Sequence, residues 1–225
     1  MQATFTKTDS RIQQDVLEEL KWDPRVEETD VGVEVDNGIV TLTGTVTSLA
    51  KRIAAQEAAH RVKGVLDVAN TIVVRPPGSP GRTDTELAQA VRTALQWNVM
   101  VPKDRIKTTV SQGRVTLEGA VDNWYERDEA EKAIQPLSGL RSIVNNIHVT
   151  RIPVAPAKVQ QAIEGALERR AERTANRITV SVEEGKVRLS GKVHSWQERE
   201  AVVGAAKVTS GVTEVDDRLT IAPDA

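Results

Sequence analysis

Apolar residues recur along the 225-residue chain in three rounds of one rhythm. Ile12, Val16 and Leu20 fall four apart, as do Leu87, Val91 and Leu95, and then Val159, Ile163 and Leu167. That spacing puts each trio on one face of a helix. Alternation follows, in Val31, Val33 and Val35, in Ile106, Thr108 and Val110, and in Ile178, Val180 and Val182. A period of two marks a half-buried strand. Val40 and Leu42, Val115 and Leu117, and Val187 and Leu189 carry a second strand. A second helix is marked by Ala55, Ala58 and Val62 against Ala130, Ala133 and Leu137. A last strand carries Val68, Ile72 and Val74, then Ile143, Ile147 and Val149, then Val215, Leu219 and Ile221. Each round reads helix, strand, strand, helix, strand.

Nine glycines hold the same register. Gly38, Gly113 and Gly185 open the second strand; Gly44, Gly119 and Gly191 follow six residues later; Gly64, Gly139 and Gly211 follow twenty after that. Asn37-Gly38 is a hairpin signal, because a type I′ turn needs positive φ at both central positions. The other copies keep the glycine and lose the asparagine. The last trio stands where a C′ glycine ends the second helix. The nine glycines are therefore assigned to turns, close approach and helix ends. The stretches Arg75 to Asp84 and Arg151 to Ala157 are rich in Pro and read as linkers. The expected units are 7–75, 83–150 and 156–222. Units this small have marginal cores, so neighbours are expected to pack on each other.

The combined motif resembles the BON domain family (bacterial OsmY and nodulation). It has the form N-G-x-V-x-L-x-G-x-V, a helix, then G-V-x-x-V-x-N-x-[IL]-x-V. The first part stands here as Asn37 to Val46, and the last as Gly64 to Val74, Gly139 to Val149 and Gly211 to Ile221. The resemblance covers all three copies. It implies an α+β fold: three tandem αββαβ sandwiches, each a three-stranded mixed sheet with two helices on one face. It also implies non-enzymatic work without shared catalytic residues: osmotic and envelope stress, anionic phospholipid binding, chaperone-like action and, beside a LysM module that this chain lacks, potassium binding. Most members are exported.

Composition narrows the function. Net charge is −2 and aromatics make up 3% of the chain, so neither a basic field nor a stacking groove for nucleic acid is present. The chain has no cysteine and no run of apolar residues long enough to span a membrane. No apolar leader is visible at the start, so the chain reads as cytoplasmic as it stands, and periplasmic if a leader has been removed.

Catalytic and metal chemistry find little support. His60, His148 and His194 fall at three different places in three copies, with no second ligand at metal spacing and no triad. No Asp-rich calcium loop and no phosphate-cradling glycine loop occur. We therefore expect no enzyme, cofactor or metal, and a cation sensor for potassium or calcium rests on the resemblance alone.

The copies differ where packing leaves them free. Lys and Arg against Asp and Glu number 9 against 12 in residues 1–75, 9 against 9 in 76–150 and 12 against 11 in 151–225. The outward sheet face is neutral in copy one (Thr41, Thr43, Thr45, Val73) and mixed in copy two (Thr116, Glu118, Ala120, Asn146, His148). It is basic in copy three, where Arg188, Lys192 and Arg218 form an expected anion- or lipid-binding surface. Trp22 matches Trp97, and Trp124 matches Trp196, with Arg169 and Leu49 in the missing places. Such rings cover the ends of a thin core or anchor an interface. Trp97, Trp124 and Tyr125 make copy two the expected contact module, with Trp196 as a further anchor. The partners expected are an anionic phospholipid surface or a protein, including further copies of this chain as a scaffold or chaperone-like assembly.

Overall fold

The computed structural model describes residues 7–77, 82–150, 154–170 and 178–222, with the side chains of 167–170 outside that description. The side chains of Leu167 and Arg169, and residues 78–81 and 151–153 of the two linkers, lie outside the described residues. Unit one comprises α1 (Asp9–Trp22), β1 (Val31–Asp36), β2 (Ile39–Val46), α2 (Leu49–Arg61), β3 (Asp67–Asn70) and β4 (Val73–Val74). Unit two comprises α3 (Asp84–Trp97), β5 (Ile106–Ser111), β6 (Arg114–Val121), α4 (Trp124–Ile134) and β7 (Ser142–Val149). Unit three comprises α5 (Pro156–Arg170), β8 (Ile178–Glu183), β9 (Lys186–Val193), α6 (Trp196–Lys207) and β10 (Glu214–Ile221).

In each unit the second strand is central, antiparallel to the first and parallel to the last. This is the mixed three-stranded sheet that the resemblance implies. In unit one the last strand falls into β3 and β4, yet both keep the same register against β2. The interruption lies at Thr71, whose N–H and hydroxyl both donate to Leu42 O.

The helices cover one sheet face. Val40, Leu42, Val115, Leu117, Val187 and Leu189 are fully buried beneath them. Helix starts are set by side-chain caps from Thr8, Ser48, Thr83, Asn123 and Ser195. Gly44 and Gly119 allow a close approach that no other residue permits. A Cβ there would lie 2.0 Å from Asp30 O and 2.1 Å from Arg105 O.

The units close on one another. One continuous apolar core runs through units one and two, and Trp196 of unit three packs against it. Unit three has its own core, and Trp124 of unit two packs against that. The first and last units therefore meet as well as the sequence neighbours. Trp124 and Trp196, each at the start of its unit's second helix, are drawn into these seams, and Leu49 at the same place in unit one is buried in the core that units one and two share.

Candidate functional site

The seam between units one and three centres on Trp196. Its Nε1–H donates to Leu66 O at 3.2 Å, its ring stacks on His60 at 4.0 Å, and the Arg199 guanidinium lies over it at 4.6 Å. Burial pushes the His60 imidazole below its ordinary pKa, and Arg199 adds to this, while Asp67 and Glu57 oppose it. The seam between units two and three centres on Trp124, which lies between Arg127 at 4.9 Å and Lys207 at 5.2 Å. Its Nε1–H is buried without an acceptor, beside a cavity of about 290 Å³ lined by Tyr125, Lys207 and residues 208–212. Tyr125 itself is 48% exposed.

Trp22 and Trp97 behave differently. They are 83% and 82% exposed, so they do not cover a core end. The reason is rotational. Each stands two residues beyond the last core position, Leu20 or Leu95, and so points to the opposite side of the helix. After Trp97 the chain leaves Val99 93% exposed and Met100 48% exposed, which makes one apolar tip. The cations Lys103 and Arg105 follow in a short 3-10 turn, and Arg105 pairs with Asp122 at 2.9 Å. The corresponding tip of unit one carries Trp22 beside Asp23, Glu27, Glu28 and Asp30.

The basic sheet face of unit three carries a carboxylate among its cations. Arg188 Nε donates to Asp216 at 3.0 Å and Arg218 Nε to the same carboxylate at 3.2 Å. Those two hydrogen bonds, Arg188 first, hold Asp216 below the usual carboxylate range. Lys192 is exposed beside Thr220. Asp216 was legible as a residue but not as a neighbour, since its pairing with Arg188 depends on the parallel register of β10 on β9.

Sequence reasoning also missed two sets of clamps. Asp9 accepts the N–H groups of Asn37 and Gly38, and Asp84 those of Gln112 and Gly113. The signal was available: the two aspartates keep the 75-residue register of the glycines, and Pro156 stands in their place in unit three. The second set joins the second helix to the last strand. Arg52 and Arg127 donate to the carbonyls of Asn70 and Asn145, whose side-chain amides answer to Arg52 O and Arg127 O. In unit three Arg199 instead pairs with Asp217 at 2.8 Å.

All nine register glycines adopt positive φ. Among the described residues no three His, Cys, Asp or Glu side chains come together as a metal-ligand set. No described helix is long and apolar enough to cross a membrane.

The chain is a tandem α+β protein whose distinctive side chains lie at seams, at helix tips and on one sheet face. The family follows: the model of the BON domain matches residues 8–76, 83–151 and 157–223, and the chain belongs to that family. It is 30% identical over 145 residues to osmotically-inducible protein Y of Escherichia coli (strain K12), covering 62% of this chain and 71% of that protein. An uncharacterized protein of Anaplasma centrale is 29% identical over 116 residues, covering 49% of this chain and 77% of its own. Among solved structures, the type III secretion structural protein CdsD of Chlamydia trachomatis aligns at 15% identity with a TM-score of 0.28, over 94% of this chain and 92% of that one. A score that low carries no argument.

Proposed function

We propose that this protein is a non-enzymatic stress-protection module that docks on anionic phospholipid surfaces through the tip of unit two. The observation that carries this reading is the exposed run Trp97, Val99 and Met100, with Lys103 and Arg105 directly behind it. An indole and two apolar side chains suit the headgroup boundary, and the cations suit its negative potential. At the tip of unit one the ring stands with Glu28 and Asp30 in the places of Lys103 and Arg105, so the cations that favour such a surface are replaced by acids there. The osmotic setting is supported by the name of the E. coli relative. Action outside the cytoplasm is the setting that fits an envelope surface.

Sedimentation with phosphatidylglycerol vesicles at low salt tests the proposal, with phosphatidylcholine vesicles as control. The protein is expected to co-sediment with the first only, and to be released by salt. Trp97→Ser is expected to weaken partition about tenfold or more, from the roughly 1.5–3 kcal/mol of burying a large apolar side chain. If Trp97→Ser binds as well as the parent while Arg188→Glu with Lys192→Glu does not, the sheet face of unit three is the docking surface and the tip is not.

A further inference from the structure

Among the described residues strand β5 pairs with β6 on one side only, which makes it an edge strand. The two-residue turn at Gln112-Gly113 makes Ser111 and Arg114 a hydrogen-bonded pair, and alternation then does the same for Thr109 with Thr116 and Lys107 with Glu118. The N–H and C=O of Thr108 and Val110 are left pointing away from the sheet. Unit one shows how such an edge is covered. Val33 is the equivalent of Thr108, and its carbonyl accepts a hydrogen bond of 2.7 Å from Gln13 Nε2 on α1. Unit two has Ala88 where unit one has Gln13, so this cover is missing.

The missing cover coincides with an open groove. A cavity of about 620 Å³ runs between α3 and β5, lined by Arg92, Gln96, Lys103 and Lys107, with Asp104 and Glu118 at its sides. Among the described residues Arg92, Lys103 and Lys107 enter no ion pair. The corresponding residues of unit one are Leu17, Glu28 and Gly32, so the positive charge is peculiar to unit two. Thr108 is peculiar too, a hydroxyl where the other units carry Val33 and Val180. Unit three keeps the glutamine as Gln160, bonded to Glu164, which is an acid in the place of Arg92. Three independent changes thus fall on one strand edge: the cover is gone, the inward position is polar, and the rim is cationic.

We propose that β5 is a docking edge for an extended, acidic segment of a protein partner, which adds as a fourth strand beside Thr108 and Val110. Main-chain hydrogen bonds to the open edge hold the segment, and carboxylates on its two faces meet Lys107 on the outer sheet face and Arg92 on the helix side. Exposed strand edges pair readily with any extended chain, and the cationic rim is what selects an acidic one. This goes beyond lipid docking: it uses the strand edge, whereas docking on lipid uses the tip.

The test uses the full chain and a short capped peptide of Glu-Glu-Val-Val repeats, which carries Glu on both strand faces, against its counterpart with Lys in place of Glu. Binding is followed by fluorescence anisotropy, and amide hydrogen exchange locates it. The acidic peptide is expected to bind in a salt-dependent manner and to slow exchange at Thr108 and Val110. Ala88→Gln restores the cover of unit one and is expected to abolish binding while leaving vesicle sedimentation unchanged. Arg92→Glu with Lys107→Glu is expected to reverse the preference between the two peptides. Trp97→Ser is expected to bind peptide like the parent, which separates this edge from the lipid tip. The proposal is overturned by absence of binding, by equal binding of both peptides to the parent, by undiminished binding to Ala88→Gln, or by protection of these amides by anionic vesicles instead of peptide.

Discussion

At the scale of single residues, the hairpin turns show what a repeat tolerates. Gln112 and Glu184 sit at φ 53 and 49, the left-handed region that Asn37 occupies more readily at φ 50. Unit two sustains this because Asp84 accepts both turn amides, at 2.7 and 2.9 Å. Gln112→Asn is expected to raise the stability of the chain by about 0.5–1 kcal/mol, from relieved backbone strain. Asp84→Ala is expected to lower it by about 1–2 kcal/mol, since two amides lose a charged acceptor. Urea titration of the two variants checks both signs. Asp23 makes a related case in unit one. It is 6% exposed and takes hydrogen bonds from Arg25 and Arg61, which hold it far below the usual carboxylate range, Arg25 foremost. A lowered carboxyl pKa contributes stability above its unfolded value, and that contribution is lost as pH falls towards the folded one. Asp23→Ala is therefore expected to cost about 1–2 kcal/mol at neutral pH, a modest figure because both arginines are partly solvated. Its deficit against the parent should shrink in acid below about pH 4. A deficit that stays constant down to low pH would show that the carboxylate charge is not what holds this corner.

At the scale of elements, periodicity alone reveals helix, strand, strand, helix, strand, because every core face is made of residues such as Val16, Leu42 and Ala58 at fixed spacing. Two kinds of feature escape that reading. The first is polar clamping between elements far apart in sequence: Arg127 reaches the carbonyls of Asn145 and Ile147, eighteen and twenty residues on. Nothing in local pattern marks Arg127 off from an ordinary solvated helix arginine. The quoted motif did contain the asparagine, but its partner was invisible until α4 was laid on β7. The second is the direction of a side chain outside the periodic stripe. Trp97 and Trp124 look alike as aromatic residues at helix ends, yet one points to solvent and the other into a seam. The register of β10 on β9 likewise decided that Arg188 and Arg218 share the one carboxylate of Asp216. Arg127→Ala tests the clamp: it leaves the carbonyls of Asn145 and Ile147 without their guanidinium donor, and about 1–3 kcal/mol of stability is expected to be lost. Hydrogen exchange should rise first in β7. Faster exchange in α4 alone, with β7 unchanged, would place the role of the arginine in the helix.

At the scale of the whole molecule, the seam between units one and three decides whether the chain behaves as one closed body. Its centre is a stacked pair, His60 on Trp196, with the indole N–H on Leu66 O. Burial lowers the pKa of His60, and the charged groups around it pull in both directions, Arg199 downward and Asp67 and Glu57 upward. The sign of the pH dependence follows. Undocked, the imidazole titrates near its ordinary value of about 6.5; docked, it titrates lower, so the seam has its full strength above that value. Strength is lost as pH falls through the ordinary value towards the lowered one, because the separated state takes up the proton more readily. Small-angle scattering across this range is expected to show the molecule expanding in mild acid, as unit three loosens from unit one while the core shared by units one and two holds. His60→Phe keeps an aromatic face for Trp196 and removes the titration, so its dimensions are expected to stay constant over the same range. An identical expansion in His60→Phe would assign the acid response to another group. No expansion in either protein would show that Lys207 near Asp128 and the packing around Trp124 suffice to keep the third unit in place.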